Sequence, residues 1–219
     1  MTISTIIFLF VTGVAIPVLA WMSKKRLDEG LALPRRAFYL EAAVTQLLLL
    51  PFALWVAKGV DLELSIALPS DVRSWAGGAI LLALALGAVV ISWPLTDVGH
   101  RERLFVIVPQ TRDERIAWTG ISFVAGFVEE TVYRGVLFAL LFKMVGVWWI
   151  AAVIAAFLFG LAHLVQGWES TIAIGLFGVA FQYLVLISGT LGVAIVVHFL
   201  YDLLVGFSVG IIGQRNEGT

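Results

Sequence analysis

Six ionisable residues lie inside three strongly apolar stretches in the second half of the sequence: Glu129, Glu130, Arg134, His163, His198 and Asp202. A carboxylate and two imidazoles that converge in a poorly solvated pocket can deprotonate a water molecule, hold it and stabilise an oxyanion. The same groups can instead bind a divalent cation that lowers the pKa of its bound water. Both routes lead to hydrolysis.

Each of these stretches carries two residues four positions apart, and this spacing places both on one face of a helix. The pairs are Glu130 with Arg134, Phe159 with His163, and His198 with Asp202. Because Arg134 can neutralise Glu130, Glu129 is left as the free base. Asp202 is placed to fix the tautomer of His198 or to act as a metal ligand itself.

Charged side chains are expensive inside a bilayer, so these residues must face one another, water or both. The four formal charges among them would cost roughly 2.5–3.5 kcal/mol each, or about 10 kcal/mol together, if none were paired. Taken singly, Glu130 with Arg134 is also explained as a structural ion pair, and each histidine as a hydrogen bond between packed helices. Their joint occurrence favours a functional site.

The composition places the chain in a membrane. Of its 219 residues, 61% are hydrophobic and 13% are charged, against roughly 45–50% apolar and about 25% charged residues in soluble domains. A formal net charge of -1 gives no reason to expect a nucleic-acid partner. The absence of cysteine excludes disulfides, thiolate ligands and a cysteine nucleophile, and no G-x-S-x-G pattern indicates a serine nucleophile.

Hydropathy predicts an all-α, polytopic membrane helical bundle of about seven transmembrane helices with no soluble domain. Each predicted span is near the ~20 residues that cross ~30 Å of hydrocarbon. The spans are residues 4–22, 37–58, 75–93, 117–142, 147–165, 170–187 and 190–212. All eight tryptophans lie within about one turn of a span end, as residues of an interfacial belt do.

The basic residues of the loops predict the orientation. They cluster in the loops after the first and third spans: Lys24, Lys25, Arg26, Arg35 and Arg36, then Arg101, Arg103, Arg112 and Arg115. The positive-inside rule places both loops in the cytoplasm, with the N-terminus outside and the C-terminus, including Arg215, inside. We divide the chain into N-terminal helices and loops (1–115), a catalytic helical core (116–212) and a cytoplasmic tail (213–219).

Three motifs occur in order along this core: Glu129-Glu130-x-x-x-Arg134, Phe159-x-x-x-His163 and His198-x-x-x-Asp202. The set resembles the CPBP family, which comprises type II CAAX prenyl endopeptidases, bacteriocin-processing or immunity proteins and abortive infection proteins. The resemblance implies that Glu129 is the general base and that His163 and His198 surround the water or a metal. The last position, often Asn in the eukaryotic prenyl endopeptidases, is Asp202 here, which argues mildly against a strict prenyl endopeptidase.

The resemblance implies an intramembrane endopeptidase of a prokaryotic cytoplasmic membrane. Its substrate is expected to be a peptide or membrane-protein segment that enters a cavity between spans four, five and seven, open to the cytosol. Two other functions stay open: a non-enzymatic membrane regulator or bacteriocin-immunity protein on the same fold, and an ion or proton transporter. The transporter is disfavoured because no inverted repeat or pair of broken helices is present.

The cofactor also stays open. A divalent metal such as Zn would use Glu129, His163, His198 and Asp202 as ligands, but the histidines lack the i, i+4 spacing of H-E-x-x-H. A metal-free water activated by glutamate is equally plausible.

Other polar and small residues receive structural interpretations. Glu41 and Gln46 in the second span are expected to be structural or interfacial, and His100 is a loop residue without an identified partner. Gly175 and Gly178 are expected to permit close packing of helices, and Gly167 to form a turn.

Overall fold

The computed structural model describes residues 2–31 and 34–217, with side chains up to Ile212. Eight helices and no strand are found in these ranges, which confirms the all-helical class. The helices are α1 (Ile3–Asp28), α2 (Arg35–Gly59), α3 (Val72–Ser92), α4 (Val98–Ile107), α5 (112–145), α6 (Trp148–Ala162), α7 (Trp168–Ser188) and α8 (Gly192–Glu217). Short 3-10 turns, Trp93–Leu95 and Leu164–Gln166, follow α3 and α6.

Five helices are long and apolar enough to cross a membrane: α1, α2, α3 with its 3-10 turn, α7, and α8 up to Ile212. Large apolar side chains such as Leu48, Leu84 and Leu176 are exposed on their outer faces, where lipid would contact them. The structure has helices at all seven predicted spans. Because α6 has 15 residues, or about 22 Å at 1.5 Å per residue, and α5 carries buried charges, membrane crossing by these two stays a prediction.

The loop after α3 contains the additional helix α4, which hydropathy did not predict. Asp97 caps its start by accepting the backbone N–H of His100 at 3.0 Å. That hydrogen bond holds the pKa of Asp97 below its ordinary value. His100 is therefore a helical residue, and its assignment to a loop was wrong.

Helix α5 changes geometry at the predicted site. A capping box between Thr111 and Glu114 starts it, and the segment Glu130–Leu137 is a π-helix inside it. Each π-helical N–H bonds the carbonyl five residues earlier, which widens the turn, and such segments are frequently found at functional sites. All eight residues of the segment are buried, so the widened turn lies in the interior of the bundle.

Small residues bring α6 and α7 into close contact, as predicted. A Cβ atom at Gly160 would lie 2.7 Å from the carbonyl oxygen of Thr171 and 3.3 Å from the Cα atom of Gly175. A Cβ atom at Gly178 would lie 3.0 Å from that of Ala156. Between the two helices, Gly167 has φ of 99°, a value that favours glycine, so the predicted turn is confirmed.

Two clusters of buried apolar side chains hold the helices together. One joins α1, α2, α5 and α6 and includes Phe8, Val56 and Val132. The other joins α3, α7 and α8 and includes Leu81 and Leu184. The first cluster surrounds the π-helical segment, so apolar packing on both sides holds the charged residues of α5 in place.

The predicted division of the chain meets continuous helices at both of its boundaries. The boundary at 115 and 116 falls within α5. The backbone of α8 continues through residue 217, while Gly218 and Thr219 of the predicted tail lie outside the described residues.

Candidate active site

Helices α5, α6 and α8 each contribute part of the predicted site. Glu129 ends the α-helical part of α5, and Glu130 and Arg134 lie in its π-helical segment. His163 is the C-cap of α6. His198 and Asp202 lie in α8.

The structure brings Glu129 together with both histidines. Its Oε2 atom lies 3.5 Å from His163 Nε2 and 3.7 Å from His198 Nε2. This Oε2 atom is buried and has no hydrogen-bond partner in the described part of the chain. Since buried polar atoms are nearly always satisfied in folded proteins, an unsatisfied oxygen facing two imidazoles is suited to receive a water molecule or a ligand.

The other ring nitrogens fix how the imidazoles are oriented. His163 Nδ1 lies 2.8 Å from the carbonyl oxygen of Phe159, which can only accept, so Nδ1 donates. His198 Nδ1 lies 2.7 Å from Glu130 Oε1 and donates to that carboxylate. With Nδ1–H committed in both rings, both Nε2 atoms are left for the chemistry beside Glu129.

Glu130 therefore has two partners. Arg134 Nη1 lies 3.2 Å from Glu130 Oε1, as the four-residue spacing predicts. The guanidinium also stacks 3.9 Å from the centre of the Phe159 ring, a cation–π contact. A structural ion pair alone is thus too narrow an interpretation, because Glu130 also orients His198.

Asp202 is the more distant of the two carboxylates at opposite nitrogens of the His198 ring. Its Oδ2 atom lies 3.5 Å from Nε2 of that ring, whereas Glu130 holds Nδ1. The widened turn of α5 brings Glu130 to the other side of the imidazole, so the predicted roles of Asp202, fixing the tautomer or acting as a metal ligand, stay predictions. Asp202 lies beside the reactive nitrogen.

Gln46 of α2 is a site residue that the sequence interpretation missed. Its Nε2 atom donates to Glu129 Oε1. The amide therefore has a polar partner inside the bundle and is not an interfacial residue. The available signal was a primary amide within an apolar span, followed by "LLLL", because such a group needs a polar partner inside a membrane.

A cavity of about 350 Å³ adjoins the site. Four predicted residues line it: Arg134, His163, His198 and Asp202. Glu129 is not among its described lining residues and lies behind the histidines, on the side of α2. Much of the remaining lining is apolar and includes Val89, Ile107, Ile174, Phe177 and Phe181.

The cavity is larger in extent than the predicted space between spans four, five and seven. Residues of α3 and its 3-10 turn, α4 and α7 also line it, including Trp93, His100 and Glu169. His100 Nε2 lies 3.2 Å from Ser170 Oγ, so this histidine has a partner that the sequence did not reveal. The cavity thus extends from the buried histidines to the end of the bundle where α4 lies.

The charges of the site do not balance without further positive charge. Glu129, Glu130 and Asp202 are three carboxylates around His198, and the guanidinium of Arg134 pairs with Glu130. An uncompensated buried charge is strongly unfavourable. Protons on both imidazoles, or one divalent cation, would neutralise the cluster.

The donor types are those that Zn²⁺ accepts, namely two imidazole nitrogens and carboxylate oxygens. Their placement does not form a preorganised site, since no group of three or more His, Asp or Glu side chains among the described residues is positioned to hold a cation. Metal binding at this site therefore stays a prediction.

The fold and the site define a multi-pass helical membrane protein with a buried glutamate and histidine centre suited to hydrolysis. Residues 111–204, less than half of the chain, match the family described as type II CAAX prenyl endopeptidase Rce1-like, a family of proteases. The match confirms the predicted resemblance and includes all six predicted site residues, but not Gln46. No curated protein and no solved structure matches the chain.

Proposed function

We propose that this protein is an intramembrane endopeptidase that hydrolyses a peptide bond with a water molecule activated by Glu129. The match of residues 111–204 to a protease family supports peptidase activity at the family level. The observation that carries the mechanism is the unsatisfied Oε2 atom of Glu129, which faces Nε2 of both His163 and His198.

The mechanism begins with a water molecule between Glu129 and the histidines. Oε2 accepts one proton while the water oxygen bonds to the carbonyl carbon of the substrate. With both imidazoles protonated the cluster is neutral, and their Nε2–H groups face the water and the oxyanion that forms. Glu129 then returns its proton to the leaving nitrogen, the C–N bond breaks, and a carboxylic acid and an amine are the products.

The cavity provides the route for the substrate. Since the histidines and Asp202 line it and Glu129 lies behind them, the substrate carbonyl approaches from the cavity and the water from the glutamate side. The apolar lining accepts apolar side chains of a peptide or membrane-protein segment. The positive-inside rule supports an orientation in which α4 and this end of the cavity face the cytosolic side of a cell membrane.

A divalent cation bound by Glu129, His163, His198 and Asp202 is the alternative way to activate the water. It would supply Lewis-acid polarisation and a bound water of lowered pKa.

The test of the function is cleavage of membrane proteins by purified protein in liposomes, with new N-termini quantified by mass spectrometry. Glu129→Gln is expected to reduce cleavage by about 10²–10⁴-fold, because it removes the base without changing the volume. The matched control is Glu41→Gln, an exposed glutamate of α2, which is expected to cleave like the unmodified protein.

Three outcomes separate the alternatives. Equal cleavage by Glu129→Gln and the unmodified protein contradicts the assignment of the base. No cleavage by any variant favours the non-enzymatic regulator. Loss of cleavage on treatment with a zinc chelator, with recovery on adding Zn²⁺, establishes the metal route instead.

A further inference from the structure

Gln46 occupies an apolar position where a primary amide is unfavourable unless it has a hydrogen-bond partner. It lies in the membrane-spanning helix α2, and the four residues after it are leucines. A primary amide without a partner is costly in such surroundings. In the structure its N–H group reaches across to α5 and donates to Oε1 of Glu129, 83 residues later in the chain.

This hydrogen bond divides the two oxygens of Glu129 between separate tasks. Oε1 is held by Gln46. Oε2 lies 3.5 Å and 3.7 Å from the two imidazole Nε2 atoms and has no hydrogen bond to any described residue. A carboxylate free to rotate would exchange its oxygens, so holding one of them determines which oxygen meets the water.

The N–H group of the Gln46 amide, and not its oxygen, makes the contact with Glu129. Gln46 Oε1 is buried and finds no partner within the described residues, so it contributes nothing that an apolar group would lose. A reversed amide would place that oxygen against the carboxylate, where two acceptors repel. The chemistry of the pair therefore fixes the orientation of the amide.

We propose that Gln46 is a positioning residue of the hydrolytic site, whose amide holds Oε1 of Glu129 so that Oε2 faces the water between His163 and His198. The inference rests on the proposed function, since it assigns Gln46 a role in that reaction. It also means that residues 111–204 do not contain the whole site, because α2 supplies a necessary donor.

The kinetic test compares three variants of the full-length protein in liposomes, on a membrane-protein substrate that the unmodified protein cleaves. Gln46→Leu removes the donor at nearly constant volume and is expected to lower kcat by about 10–100-fold with KM changed less than about twofold. Gln182→Leu is the matched control. Gln182 is a buried glutamine of α7 whose Oε1 likewise has no described partner, and it is expected to keep the kcat of the unmodified protein.

Gln46→Glu provides a readout that a structural role would not change. A protonated carboxyl group at position 46 can donate to Oε1 as the amide does, whereas an ionised one cannot. The ratio of its kcat to that of the unmodified protein is therefore expected to rise as the pH falls. The same ratio for Gln182→Leu is expected to stay constant, and thermal unfolding of each variant verifies that it is folded.

Infrared spectroscopy tests the contact without any need for activity. The carboxylate band of Glu129 is the one lost in Glu129→Gln, and Gln46→Leu is expected to shift that band. An unshifted band, or an unchanged kcat in Gln46→Leu while the unmodified protein cleaves its substrate, overturns the role of Gln46 and leaves the proposed function standing. A shifted band in a protein that cleaves nothing supports the contact and overturns the proposed function.

Discussion

At the scale of single residues, the site depends on how each polar atom is satisfied. Glu130 is fully buried and orients His198 while pairing with Arg134. Removing one partner from such a buried pair typically costs about 3–5 kcal/mol, because the other charge stays buried. Oε2 of each glutamate lacks a hydrogen bond to a described residue, but only in Glu129 is that oxygen found facing the Nε2 atoms of both His163 and His198.

Substitutions of Asp202 test whether the last position of the third motif requires a polar side chain. Its carboxylate lies 3.5 Å from His198 Nε2. Asp202→Asn keeps the shape and a polar oxygen, so we expect cleavage to fall by less than about tenfold, as loss of part of one hydrogen bond would predict. Asp202→Leu removes all polarity, and we expect a loss of about 100-fold or more. Initial rates in the liposome assay measure both, and equal rates for the two variants would contradict a polar role.

At the scale of the elements, close approaches between helices position the site. Trp118 of α5 donates its indole N–H to the backbone oxygen of Asp202 at 3.0 Å. The indole fits because position 206 of α8 is glycine, where a Cβ atom would lie 2.2 Å from Trp118 Nε1. Trp118 is therefore more than the interfacial residue that its place near a span end predicts, because it joins α5 to α8 at the level of the site.

Gly206→Ala tests this contact. The added methyl group cannot fit against the indole ring, so we expect destabilisation of about 1–3 kcal/mol and a lower Tm in detergent. Gly120→Ala on α5 is the control, because no described atom lies within 4 Å of its Cβ position. Alanine there is expected to leave Tm equal or raise it, by up to about 1 kcal/mol of helix propensity. A Tm for Gly206→Ala as high as that of the control would rule out the contact.

At the scale of the whole molecule, the two ends of the bundle differ. At one end, Thr190 before α8 donates to the backbone oxygen of Ala67 in the loop after α2. At the other end, α4 and the start of α7 meet where His100 contacts Ser170. The cavity extends to this second end, which the positive-inside rule predicts to face the cytosol.

Cysteine labelling tests that orientation. The chain has no cysteine, so single substitutions at exposed positions report their own location. With a membrane-impermeant maleimide we expect Glu102→Cys in α4 to react only from the cytosolic side and Glu63→Cys only from outside. Both residues are exposed. The reverse pattern would place the cavity on the outer side of the membrane.

The local chemistry of the sequence was sufficient for much of the fold. Helices occur at all seven predicted spans, because apolar runs of this length must satisfy their own backbone in lipid. Helix α4 was missed because it is short, with four charged or histidine side chains among its ten residues, and its stability comes from contacts with other elements.

The sequence by itself determined which polar residues carry a high free-energy cost in an apolar chain. That cost and helical spacing together identify the three motifs that contain Glu129, His163 and His198. Only the tertiary structure decided which of these atoms touch. The π-helical turn of α5 is invisible to a period of 3.6 residues, and it brings Glu130 to His198 Nδ1 in place of Asp202. Packing of α2 against α5 brings Gln46 to Glu129, 83 residues later in the sequence. A contact between residues so far apart in the sequence depends on how whole helices pack and not on local pattern.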